Sequence, residues 1–123
     1  MMSDVFFFDT YAIIEILKGS KAYDKYVDCT ALITKLNIFE IYTSVLREFG
    51  VEKAEKVLEK WNPSVIDYDE EIIKDAGRLW FKMRKQKVSM TDCIGYVLAA
   101  YWKVPFLTGD KEFEDLEGVE YIK

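Results

Sequence analysis

Apolar positions change their period several times along the chain, and each change predicts an element. Val5 to Phe8 is an unbroken β-prone run, the pattern of a buried strand. From Thr10 to Lys18 apolar residues return at Ile13, Ile14, Ile16 and Leu17, a helical spacing that Gly19 stops. Ser20 reads as a cap for a short helix over Lys21 to Val27, and Thr30 to Ile33 as a short strand. Between Asn37 and Phe49 the stripe Ile38, Ile41, Tyr42, Val45, Leu46 and Phe49 is again helical, and Gly50 closes it. Val51 to Trp61 repeats the pattern until Pro63 breaks it. Ser64 to Tyr68 reads as a strand, and Asp69 opens a longer helix reaching about Lys85, with acids in its first turn and bases in its last. Thr91 to Trp102 is a further helix. Val104 to Leu107 is a strand, Thr108-Gly109-Asp110 a turn, Lys111 to Leu116 a short helix, and Val119 to Ile122 the last strand.

Strands alternating with helical segments predict an α/β fold, a mostly parallel central sheet flanked by helices. The 123 residues carry no repeat, low-complexity tract or linker, so one domain over 1–123 is expected. At 50% hydrophobic the chain has enough apolar side chains for a core at this size. No apolar run approaches the roughly 18 residues of a membrane span. The segment MMSDVFFFDTY has neither a basic leader region nor a cleavage pattern, so a cytoplasmic location is the expectation. Cys29 and Cys93 stand alone in apolar or helical surroundings and read as small buried residues. The absence of histidine removes Ser-His triads, imidazole acid–base chemistry and His-rich zinc sites. A net charge of −5 means that any action on nucleic acid needs metal ions and a local basic patch.

The candidate chemistry lies in acids set beside apolar segments: Asp9 in VFFFDTY, Glu40 in LNIFEIYTS, Asp92 in SMTDCIGYVLAAYW and Asp110 in VPFLTGDKEF. A carboxylate there is costly unless it is paired or binds a cation. Each has an ordinary reading as well. Asp9 can cap the helix that follows it, Asp110 can serve a turn, Asp92 can sit in a first helical turn, and Glu40 can be solvated. Two strands each delivering an Asp just past their C-terminal ends fit the rule that ligands bind beyond those ends in parallel sheets. Glu40 has Asn37 one turn before it and Thr43 and Ser44 one turn after, a polar patch beside the core stripe. Asp92, Gly95 and Ala99 share a helix face on which small residues allow close approach. A fold gathering all four acids makes an anionic pocket without matching bases. Clustered carboxylates raise one another's pKa, so the pocket asks for Mg²⁺ or Mn²⁺.

This ordered set resembles the PIN-domain nucleases, and the short form resembles the VapC-type toxin of a VapBC toxin–antitoxin pair. FFFDTYAIIEIL is similar to the family's opening strand, Asp and helix, LNIFEIY to its helical Glu, and TDCIGYVLAAYWKVPFLTGDKEF to its closing block. Tyr11 departs from the small polar residue that relatives often carry there. The resemblance implies a metal-dependent endoribonuclease, a homodimer held inactive by a cognate antitoxin, with Asp9, Glu40, Asp92 and Asp110 as catalytic and metal-binding residues.

A bound Mg²⁺ or Mn²⁺ would activate water for in-line attack on phosphorus, leaving a 5′-phosphate and a 3′-hydroxyl. Asp9 and Asp92 are the first choices for direct ligands. Thr10, Thr108 and, less strongly, Asn37 are candidates for supporting the carboxylates or contacting substrate. Lys82, Arg84, Lys85 and Lys87 form the strongest basic cluster and candidate RNA contacts, against an ordinary role at a helix C-terminus. Three alternatives use the same residues differently. They are a PIN nuclease of RNA processing without a toxin role, a non-catalytic interaction module, and a phosphotransfer domain with Asp9 as nucleophile. The last lacks a second acid two residues on, where Tyr11 stands.

Overall fold

The computed structural model describes residues 4–123, so the reading of the extreme N-terminus falls partly outside the described residues. Strands β1 (Val5–Phe8), β2 (Thr30–Leu32), β3 (Phe106–Thr108) and β4 (Val119–Tyr121) form one sheet in the order β2-β1-β3-β4. Every pair in it is parallel. Helices α1 (Thr10–Leu17), α2 (Lys35–Phe49) and α3 (Val51–Trp61) connect the first half, and α4 (Glu70–Lys82) and α5 (Met90–Trp102) the second. Among the described residues no helix is long and apolar enough to cross a membrane.

β1 is apolar at every position because both sheet faces are covered. Phe7 points to one side, packed with Phe106, Cys93, Leu98 and Ala99 under α4 and α5. Phe6 and Phe8 point to the other, with Ala12, Ile13, Tyr23, Ile41 and Leu107 under α1 and α2. A strand buried on both faces reads as a continuous hydrophobic run rather than an alternating one.

Several boundaries differ from the sequence reading. Ser64 to Tyr68 is not a strand: beyond the 3-10 turn Asn62–Ser64, only Val65 pairs, in one parallel bridge to Ile33. α2 begins earlier than Asn37, because Thr34 caps it and Asn37 completes a reciprocal capping box. α4 ends at Lys82, where the Met83 N–H turns back to the Leu79 carbonyl and the Arg84 N–H to that of Phe81. β3 starts at Phe106, since Pro105 has no N–H to give a ladder. The segments Lys21–Tyr26 and Lys111–Phe113 are 3-10 turns rather than α-helices. Cys93 is buried and Cys29 half-buried, both as free thiols.

Candidate functional site

The strand order sets the site. The chain leaves β1 for β2 on one side and returns to β3 on the other, so β1 and β3 flank the point where the connections diverge. A crevice opens there beyond the C-terminal ends of the strands. Asp9 directly follows β1, and Asp110 follows β3 by two residues.

Asp9 is buried, at 1% exposure. One carboxylate oxygen caps α1 by accepting the Ala12 N–H at 2.8 Å, and the other accepts the Thr108 hydroxyl. Capping and site membership are thus the same placement. Burial first, and then the charge of Asp92, pushes the Asp9 carboxyl up to about 8 against these two donors. The Thr108 hydroxyl, having donated to Asp9, accepts the Asp110 N–H at 2.9 Å, so one side chain joins the two strand-end acids. An Asp110 carboxylate oxygen in turn accepts the Glu112 N–H at 3.0 Å.

Glu40 arrives on α2, and its carboxylate accepts the Thr10 hydroxyl. Asn37, one turn earlier and buried, donates from its amide nitrogen to Thr10 Oγ1 at 3.0 Å. Its carbonyl oxygen accepts the Thr34 N–H at 2.9 Å. The chain Thr34–Asn37–Thr10–Glu40 therefore fixes the start of α2 against the start of α1. Asp92 lies in the first turn of α5, its N–H capped by Ser89 Oγ at 3.0 Å. Burial, and then the charges of Asp110 and Glu40, push its carboxyl up to about 6.

The four acids line one pocket of about 410 Å³ together with Thr10, Tyr11, Ser89, Gly109, Lys111 and Lys123. Their donors are hard anionic oxygens, which suit Mg²⁺ or Mn²⁺. Among the described residues no three or more Asp, Glu, Cys or His side chains stand in a metal-holding arrangement. By donor type the residues fit a divalent ion.

The sequence profile of the PIN domain matches residues 6–119. The chain belongs to the PIN-domain family. No curated protein matches the sequence. Solved structures share the PIN fold. A toxin–antitoxin complex from Klebsiella pneumoniae has a chain 17% identical at a TM-score of 0.73, with 94% of this chain and 95% of that one covered. VapBC2 from Rickettsia felis, bound to a DNA fragment from its promoter, matches at 16% identity and 0.71, covering 95% and 96%. DNA-bound VapBC from Salmonella typhimurium matches at 18% and 0.71, covering 94% and 95%. At these identities the likeness is one of fold.

Within this PIN domain, two expectations are revised. The acid pocket was expected to lack bases, yet Lys111 and Lys123 line it. Lys111 adjoins Asp110 and was legible by adjacency, whereas Lys123 reaches the pocket only because β4 pairs with β3. Gly95 does face a close approach, but of the core: a Cβ there would fall 2.6 Å from the Phe7 ring and 3.1 Å from Phe106. The basic cluster Lys82, Arg84, Lys85 and Lys87 is exposed at the end of α4 and in the following turn, outside the pocket lining. Arg84 there stacks 4.0 Å from the Phe81 ring centroid and donates to the Phe81 carbonyl at 2.7 Å.

Proposed function

We propose that this PIN domain is a Mg²⁺- or Mn²⁺-dependent endoribonuclease, the toxin of a type II toxin–antitoxin pair. The observation that carries the reading is the convergence of Asp9, Glu40, Asp92 and Asp110 on one pocket at the crevice between β1 and β3. Membership of the PIN family and the folds shared with toxin–antitoxin complexes support it.

Asp9, Glu40, Asp92 and Asp110 would hold the ion. When bound, it supplies a more acidic water and offsets charge on the scissile phosphate. The chain's own residues prepare for this. Thr108 and the Ala12 N–H fix both Asp9 oxygens, and Thr10, held by Asn37, fixes Glu40. Burial keeps water from screening Asp9. With no histidine, paired imidazoles cannot drive a cyclic-phosphate route, so the products carry 5′-phosphate and 3′-hydroxyl ends. Lys82, Arg84, Lys85 and Lys87 are offered as contacts to RNA beyond the pocket.

A second copy of the chain and a cognate antitoxin are the proposed partners, in the cytoplasm. Exposed apolar side chains such as Phe39, Phe49, Trp80, Met90 and Tyr101 are what protein partners would cover. One PIN-like nuclease domain over 1–123 is the proposed unit.

The test is cleavage of total cellular RNA by purified protein in Mg²⁺, in Mn²⁺ and in EDTA, beside Asp9→Asn. Cuts that need the metal and vanish in the variant, with the fold intact by circular dichroism, are expected. Full activity of Asp9→Asn would sink the assignment. Absence of cleavage by folded, metal-replete protein would favour an interaction module.

A further inference from the structure

The acidic pocket also holds two cations. Lys111 and Lys123 both line it, yet among the described residues neither forms an ion pair with Asp9, Glu40, Asp92 or Asp110. Both ammonium groups share the pocket lining with the carboxylates without direct contact, which leaves their N–H donors open to an anion that enters.

Lys123 is exposed and has one ring contact. Its Nζ stands 5.5 Å from the centroid of the Tyr11 ring. The ring is itself fixed: it presses on Gly109 so closely that any Cβ there would collide with it. On another flank it meets the Tyr23 ring at 6.3 Å between centroids. Position 109 separates Thr108 from Asp110, so this aromatic shelf is built into the acid-bearing turn. Lys111 extends from the other end of the same turn. An anion that enters the pocket would meet both lysines along its lining.

We propose that Lys111 and Lys123 grip the phosphates of a single-stranded RNA on either side of the bond to be cut, with Tyr11 as the positioning residue that holds Lys123 at the rim. The inference rests on the nuclease reading and deepens it by assigning substrate contacts. Single-stranded RNA is favoured because its backbone can be splayed into a crevice that duplex geometry does not enter. Ammonium groups suit phosphate as point charges, and neutralising each phosphate releases counterions. The cluster at Lys82 to Lys87 lies outside the pocket lining and is expected to touch only longer RNA.

The test uses the full chain carrying Asp9→Asn, so that RNA is not consumed, with a short fluorescent single-stranded oligonucleotide in Mg²⁺. Binding is followed by anisotropy over a salt series. Adding Lys123→Ala or Lys111→Ala is expected to weaken binding several-fold and to flatten the salt slope by about 0.7 each. Lys123→Arg should restore the slope. Tyr11→Leu, which keeps both charges, should weaken binding about two- to fivefold. The lysine changes in the otherwise unaltered enzyme should lower kcat/KM through KM. Unchanged salt slopes and unchanged kcat/KM in both lysine variants would overturn the proposal. If the unaltered chain neither binds nor cuts any RNA, the nuclease reading itself fails, a different result from intact cleavage that ignores the lysines.

Discussion

The Thr108 hydroxyl has one proton and an accepting oxygen, and both strand-end aspartates use it: it donates to Asp9 and accepts the Asp110 N–H at 2.9 Å. Thr108→Val keeps the shape and removes both bonds. Buried groups left without partners cost about 1–3 kcal/mol, so urea unfolding of the metal-free protein should show a loss of that size. Removing a group that supports ligands typically costs about 10–100-fold in metal affinity, so a calorimetric Mg²⁺ titration should weaken correspondingly. A Thr108→Val protein with wild-type stability and wild-type metal binding would remove the hydroxyl from the site. Asn37 illustrates what sequence can and cannot say of a residue. Its place one turn before Glu40 was legible, but its bond to Thr10 joins residues 27 positions apart and needed the folded chain.

At the scale of elements, α5 must lie close on the sheet to present Asp92 to the pocket. Gly95 permits this, because its missing Cβ is where the Phe7 and Phe106 rings sit. Gly95→Ala therefore overpacks the contact between α5 and β1, at about 1–3 kcal/mol, and should lower the melting temperature. Gly77 in α4 is the control: a Cβ there meets nothing within 4 Å. Gly77→Ala should stabilise by roughly 0.5–1 kcal/mol through helix propensity. Equal effects at the two sites would contradict the packing argument. Sequence patterns found each helix and four of the five strand segments they proposed, since periodicity is local. They failed at Ser64 to Tyr68, where an apolar, β-prone segment pairs at one residue only. Strand pairing depends on a neighbour that local pattern does not reveal.

For the whole molecule, the carboxylate cluster couples stability to pH. Asp9 and Asp92 are raised from 3.8 to about 8 and about 6, by burial first and neighbouring charge second. The folded state thus holds these protons more tightly than the unfolded state. Their contribution is fully present below about pH 4 and is lost as pH rises through 6 and then 8. In EDTA the melting temperature should accordingly fall between pH 5 and 8.5 as far as these two groups govern it. Asp9→Asn should remove much of that fall. A divalent cation should raise the melting temperature more at pH 8 than at pH 5, because protons and the cation compete for the same oxygens. Scanning calorimetry across that range, with and without Mg²⁺, reads all three effects. A flat profile in EDTA would mean that burial and neighbouring charge do not raise these two carboxyls.

The sequence by itself determined the alternation of strand and helix and the four acids set against apolar segments. Both are local properties, fixed by periodicity and by the cost of a carboxylate beside a hydrophobic run. Tertiary structure alone decided that β1 lies between β2 and β3, which brings Asp9 beside Thr108, 99 residues away. It also decided that β4 delivers Lys123 to Tyr11, that Thr10 passes a hydrogen bond from Asn37 to Glu40, and that the exposed cluster after α4 stays off the pocket lining. The physical reason is that these contacts follow from strand order and register, which arise only when distant segments share one sheet and one core.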